Sequence, residues 1–271
     1  MKQSVYNFFT IRFRVLMTNI VNTFNIETAY PAENWANIFS TLLYVISYLI
    51  FLDVIFNNVT SLAGYTHNDM LFFTFIGQIA FFTLYTWSFE NMSGLAESIR
   101  NGELDVLLTK PVPTLFYIST RTFTLVRLVR DAFVPMLIIA FLIDWTTLHL
   151  TFLSFVIGII VFVCGQWAVH MLQFLLVMPA FWNGKSQALL HLSYSITGPE
   201  IPLQGLSKYW RVILISVLPV SLPVAGATSV MLGHSNPLLM LSWAIALAML
   251  LAWLRIWIWR KALGVYNSAS S

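Results

Sequence analysis

Charge is what this sequence has least of. Asp, Glu, Lys and Arg make up 9% of its residues, where a soluble domain carries roughly 25%, and that shortage excludes a water-soluble globular fold. Cysteine is almost absent. The one present, Cys164, lies in an apolar run, so an intrachain disulfide and a cysteine-held metal cluster are both excluded. No phosphate-binding loop of the form Gly-x-x-x-x-Gly-Lys-Ser/Thr exists either. Asn183-Gly184-Lys185-Ser186 has the last three letters, but Pro179 stands where the first glycine belongs, and the flanks are a span end rather than strand and helix. The first 35 residues are not expected to be a signal peptide, because Asn7, Thr10, Arg12 and Arg14 interrupt any apolar core.

What is abundant is apolar, with 58% hydrophobic residues and a mean hydropathy of +0.78. A chain of 271 residues has room for about six helices of ~20 apolar residues, the length that crosses ~30 Å of hydrocarbon. The expected spans are 36–56, 70–89, 132–150, 152–178, 212–232 and 238–259, with cytoplasmic connections over 90–131 and 179–211. Residues 1–35 look amphipathic. Asn7, Arg14, Thr18 and Asn22 lie on one side and Phe9, Phe13, Leu16, Ile20 and Phe24 on the other, which suits a helix lying in the headgroup plane or one packed on the protein's own surface.

All 14 Lys and Arg residues fall on one side of this arrangement. Cationic residues are retained in the cytoplasm, so both termini are expected there. The excess of +3 flanks apolar spans, which favours anionic lipid headgroups as partner and argues against nucleic acid.

The densest polar interval, residues 97–113, separates spans two and three. Glu97 and Arg100 sit one turn apart on a helix that Gly102 can close. A second, shorter helix is then expected. It has Glu103 and Asp105 at its N-terminal end, Leu104, Leu107 and Leu108 along one face, and Lys110 before the stops at Pro111 and Pro113. Such a helix can rest on lipid or fill a groove in another protein.

The run Ile99-Arg100-x-Gly102-x-Leu104-Asp105-x-x-Leu108, followed by Pro111, resembles the loop of membrane subunits of type-2 ATP-binding-cassette (ABC) exporters. A departure is Tyr30-Pro31, where that family tends to carry an arginine beside the tyrosine. The resemblance implies an all-α integral membrane protein of six transmembrane helices in a bacterial inner membrane. It implies a coupling helix at Glu103, Leu104, Asp105, Leu107 and Leu108 that seats in a separate ATP-binding subunit, a second permease copy or paralogue, and no cofactor in this chain, ATP and Mg being bound by the partner.

Within the spans, Gln166, His170 and Gln173 share one side of span four, either bonding to neighbouring helices or lining a pathway. Pro219, Pro223 and Gly226 should kink or unwind span five, as a break or a gate. Arg127 and Asp131 are spaced to pair. A stand-alone ion-coupled carrier is the rival reading, but Asp53, Glu90, Asp131 and Asp144 all lie toward span ends rather than at mid-depth. No clustered nucleophile and base suggests an enzyme.

Overall fold

The computed structural model describes residues 2–29, 31–183, 187–195 and 202–266. Tyr30, the Gly184-Lys185-Ser186 run and residues 196–201 lie outside them. Among the described residues the chain is all helix, its only extended pairing an isolated bridge between Leu62 and Tyr65.

Four helices are long and apolar enough to cross a membrane, Trp35–Phe56, His67–Arg100, Phe152–Asn183 and Pro237–Val265. They correspond to the expected first, second, fourth and sixth spans. The last three each begin on a side-chain cap that satisfies an orphan amide of the first turn. Thr66 and Asp69 form a reciprocal capping box, the Thr151 hydroxyl accepts from the Ser154 amide at 3.3 Å, and the Asn236 side chain accepts from the Leu239 amide at 3.1 Å.

The expected third span is different in extent. Helix begins at Leu125, passes through a π-helical stretch at Leu128–Phe133 and continues as Val134–Leu142. It ends there because Ile143 turns to extended backbone, and residues 143–150 are turns rather than a continuation. Its last α-helical part, Val134–Leu142, is 9 residues, about 14 Å at 1.5 Å per residue. The wide π turns also rearrange the expected ion pair. Arg127 reaches Glu90 on the second long helix at 2.6 Å, and Asp131 pairs with its neighbour Arg130.

The expected fifth span is a bent pair, Lys208–Val217 and Pro219–Met231, with axes differing by 81°. The break falls at Leu218, where ψ swings to 83°. Pro219 and Pro223 withhold backbone donors on its far side, and Pro219, Pro223 and Gly226 are all buried. The second arm lies along Phe152–Val177, where Gly158 and Gly165 have no side chain to hold it away. A Cβ on Gly165 would stand 2.6 Å from the Pro223 nitrogen.

The segment before this pair departs from the expected cytoplasmic connection over 179–211. His191 and Tyr194 pack on Phe89, and Tyr194 also on Phe81 and Tyr85, deep along the second long helix. Gln204 instead reaches the His234 carbonyl at 3.5 Å and lies beside Tyr65, which stacks on His234 with centroids 4.3 Å apart. Gln204 therefore belongs to the end of the bundle that carries loops 57–66 and 233–236. Arg211, bonded to the Leu206 carbonyl at 3.3 Å, follows directly from it. The expectation that every cation sits at the opposite, basic end fails here for a physical reason. A bent apolar pair has the same composition as a straight span, so hydropathy alone does not say at which end its flanks lie.

Helix Lys2–Thr28 is bound to the protein by a polar stripe. Arg12 lies over the Phe116 ring at 5.2 Å, the Asn19 amide donates to the Thr120 carbonyl at 3.0 Å, and the Glu27 carboxylate accepts from the Val126 amide at 3.2 Å. Glu27 thus caps the first turn of another helix. Burial raises its pKa, against the lowering field of Arg127. Phe13, Val21 and Phe24 remain exposed, an apolar face left for lipid.

Candidate functional site

The polar interval at the basic end folds as its sequence suggests. The second long helix closes on Gly102 at φ +72°, a left-handed conformation that glycine adopts without strain. The Glu103 amide donates to the Ser98 carbonyl at 2.8 Å and the Gly102 amide to the Ile99 carbonyl at 3.3 Å, the paired bonds of a Schellman motif. Arg100 pairs with Glu97 at 3.3 Å. The chain then forms the short helix Leu104–Leu108.

This helix does not present all its leucines. Leu104 is 0% and Leu107 6% exposed, both packed into a hydrophobic core with Met92, Leu95, Phe174 and Trp259. These two are anchors to the chain's own body. Outward stand Glu103, Val106 at 58% and Leu108 at 36% exposure, with Asp105 half-buried beside them. Val106 was not singled out in the sequence, although its place midway between Leu104 and Leu108 sets it on the opposite side from the anchors. The far end of the last helix also reaches this point, through the Tyr266 hydroxyl on the Gly102 carbonyl at 3.3 Å.

Behind the short helix lies Thr114–Thr120, and a buried polar network ties it to the bundle. Arg255 on the last long helix, 7% exposed, donates to the Ser119 hydroxyl at 2.6 Å and to the Leu115 carbonyl at 3.0 Å. Its guanidinium lies over the Phe174 ring at 4.7 Å. The other ring nitrogen contacts continue inward: Ser119 meets His170 Nε2 at 3.1 Å, and His170 Nδ1 meets Ser88 at 2.7 Å. Ser88 in turn donates to Gln173, and the His170 ring leans on Trp87 with centroids 4.2 Å apart.

Gln166, His170 and Gln173 are all buried, and each bonds to the second long helix, Gln166 through the Ala80 carbonyl at 3.1 Å. Their described role is therefore interhelical bonding, and the side they share faces packed protein. Ser119 and Arg255 are the members of this network that sequence reading passed over. A lone arginine within a long apolar helix was the available signal, since a cation at that depth needs partners. Replacing Ser119 by alanine leaves one guanidinium N–H and one imidazole nitrogen short of a partner. A loss of about 1–3 kcal/mol is expected, read as a lower unfolding midpoint of the purified protein in detergent.

The turn that follows Thr114–Thr120 is held by Asn91. Its side chain donates to the Thr122 carbonyl at 2.7 Å and accepts from the Thr122 amide at 2.9 Å, as a backbone strand would. The short helix is thus carried on a frame fixed to the second, third and last long helices. No group of three or more His, Cys, Asp or Glu side chains among the described residues is placed to hold a metal.

A family model described as ABC-2 family transporter protein matches residues 42–270 of the chain. No curated protein matches it, and no solved structure does.

Proposed function

Since the chain belongs to the ABC-2 family of transporter proteins, and is thereby a multi-pass membrane permease component that is not itself catalytic, we propose that it is the transmembrane half of an exporter driven by a separate ATP-binding subunit. The observation that carries this reading is the construction of Leu104–Leu108. Two leucines fasten it inward, while Glu103, Val106 and Leu108 stand out at the basic end. An apolar ridge with an acidic collar suits a groove in a soluble partner.

The ATPase binds ATP and Mg and the permease works as a pair, with a second copy or a paralogue. Closure of the ATPases around ATP moves the short helix, and the frame of Asn91, Ser119 and Arg255 passes that movement to the long helices, shifting them between inward-facing and outward-facing states. The basic end faces the cytoplasm of a bacterial cell, by the retention of cations there. Six crossings are expected, with residues 125–142 serving as the third. The bent pair then enters and leaves from the outer side, with Pro219, Pro223 and Gly226 at its turn as the gate.

Val106→Glu puts a charge into the proposed groove without touching the buried anchors. It is expected to weaken association with the ATPase at least about tenfold, as truncation or burial of an unpaired charge at an interface centre does. Glu103→Ala with Asp105→Ala should slow association and reduce its salt dependence. Co-purification in mild detergent reads both, and unchanged binding with unchanged transport in all these variants contradicts the coupling role.

A further inference from the structure

At the basic end, on the side away from the short helix, a cavity of about 390 Å³ opens between the first three spans. Its lining is unusual for a position between apolar helices. Ser40 and Thr41 face it from Trp35–Phe56, Tyr85 from the second long helix, and Arg127, Arg130 and Asp131 from residues 125–142. Arg127 is held by Glu90 at 2.6 Å and lies over the Tyr85 ring at 4.5 Å. Arg130 and Asp131 pair side by side, 11% and 8% exposed.

The cavity therefore offers both signs, with the guanidinium groups of Arg127 and Arg130 and the carboxylate of Asp131 in its walls. An anion alone meets Asp131, and a cation alone meets the two arginines. A ligand carrying both signs a few ångström apart satisfies both. Thr41 stands about 9 Å along the helix from Trp35, at 1.5 Å per residue, so the cavity opens just inside the interfacial level that an anchoring tryptophan marks. The first span covers the cavity loosely, with only Val45 and Leu52 buried along it, so acyl chains can leave beside it into the bilayer.

We propose that this cavity seats the zwitterionic head of a phospholipid, its phosphate on Arg127 and Arg130 and its ammonium on Asp131, with hydroxyls from Ser40 and Thr41 completing the shell. The site stands independently of the ATPase partnership, because every group in it belongs to this chain.

The test is native mass spectrometry of the purified, delipidated full chain titrated with phosphatidylethanolamine, phosphatidylglycerol and diacylglycerol. Phosphatidylethanolamine is expected to bind about fivefold more tightly than phosphatidylglycerol, the gain of about one further ion pair, and diacylglycerol most weakly. Asp131→Asn removes the one carboxylate of the lining, leaving only its two arginines, and should reverse that order. Should this variant fold poorly, Arg130→Gln with Asp131→Asn removes the pair without leaving a lone charge, and it should bind the two phospholipids alike. Free phosphoethanolamine at the same concentrations should not compete. Equal or tighter binding of phosphatidylglycerol to the unaltered chain overturns the proposal, as does a preference that survives Asp131→Asn, or displacement by the free headgroup, which would make a soluble zwitterion the occupant.

Discussion

Gly165→Val should leave the protein unable to assemble its core, so that it fails to survive extraction in mild detergent as a folded species. The reason is local and geometric. An ideal Cβ at Gly165 falls 2.6 Å from the Pro223 nitrogen and 2.7 Å from its Cα, and these are backbone atoms with no rotamer to retreat into. The arm Pro219–Met231 would have to move away from Phe152–Val177 as a unit, giving up the packing of Leu222, Val224, Ala225 and Ala227, all buried. Even Gly165→Ala should cost about 3 kcal/mol, the upper range for overpacking a close-fitted core. Gly158→Ala supplies the contrast. Its Cβ would meet the Met231 side chain at 2.3 Å and the Ala227 carbonyl at 3.2 Å, and a methionine can swing aside. The milder change at Gly158 should be visible as a retained, lowered unfolding midpoint where Gly165→Val shows none.

Arg255→Met is expected to keep the fold and loosen one part of it. A buried arginine without a carboxylate beside it carries a desolvation penalty that an apolar side chain of similar length does not, so the global midpoint should change little. The helix Thr114–Thr120 is another matter, because it loses both of its bonds to the guanidinium, at the Leu115 carbonyl and the Ser119 hydroxyl. Hydrogen bonds to charged groups contribute about 1.5–3 kcal/mol each, so with both lost, amide exchange over residues 114–120 should rise by about 100-fold or more. Exchange over Phe152–Val177 should stay as it is. Uniform loosening of both segments would show that Arg255 supports the bundle generally rather than holding the frame of the short helix.

Much of the architecture was legible because lipid imposes simple rules. Helices at 35–56, 67–100, 152–183 and 237–265 follow from apolar length. The stop at Gly102 follows from its freedom at positive φ, while the starts at Thr66, Thr151 and Asn236 are set by side-chain caps that apolar length does not locate. The failures occur where composition carries no direction. Residues 212–232 are apolar enough to span, but Pro219 and Pro223 fold them back against Gly165, and only the contact of Gln204 with His234 reveals which end their flank occupies. Arg127 and Asp131 have the spacing of an α-helical pair, but the intervening π turns place Arg127 against Glu90 instead. In the candidate site, the leucine pattern located the short helix correctly and misjudged which leucines are free. Periodicity defines a face without saying what covers it, and here Leu104 and Leu107 are buried in the core cluster that also holds Phe174 and Trp259 from distant parts of the chain.

The central claim is that Leu104–Leu108 seats in an ATP-binding subunit, and a contact measured from its exposed side tests it most directly. With Cys164, the chain's single cysteine, replaced by alanine, Val106→Cys carries a thiol-attached benzophenone at the outward face. Asn58→Cys carries the same probe at the opposite end of the bundle. Illumination in native membranes is expected to join the probe at position 106 to a soluble subunit bearing a phosphate-binding loop, with a yield that changes on adding ATP and Mg, while the probe at position 58 captures no such subunit. Equal capture from both positions, or none from position 106 in membranes where transport is active, would contradict the account.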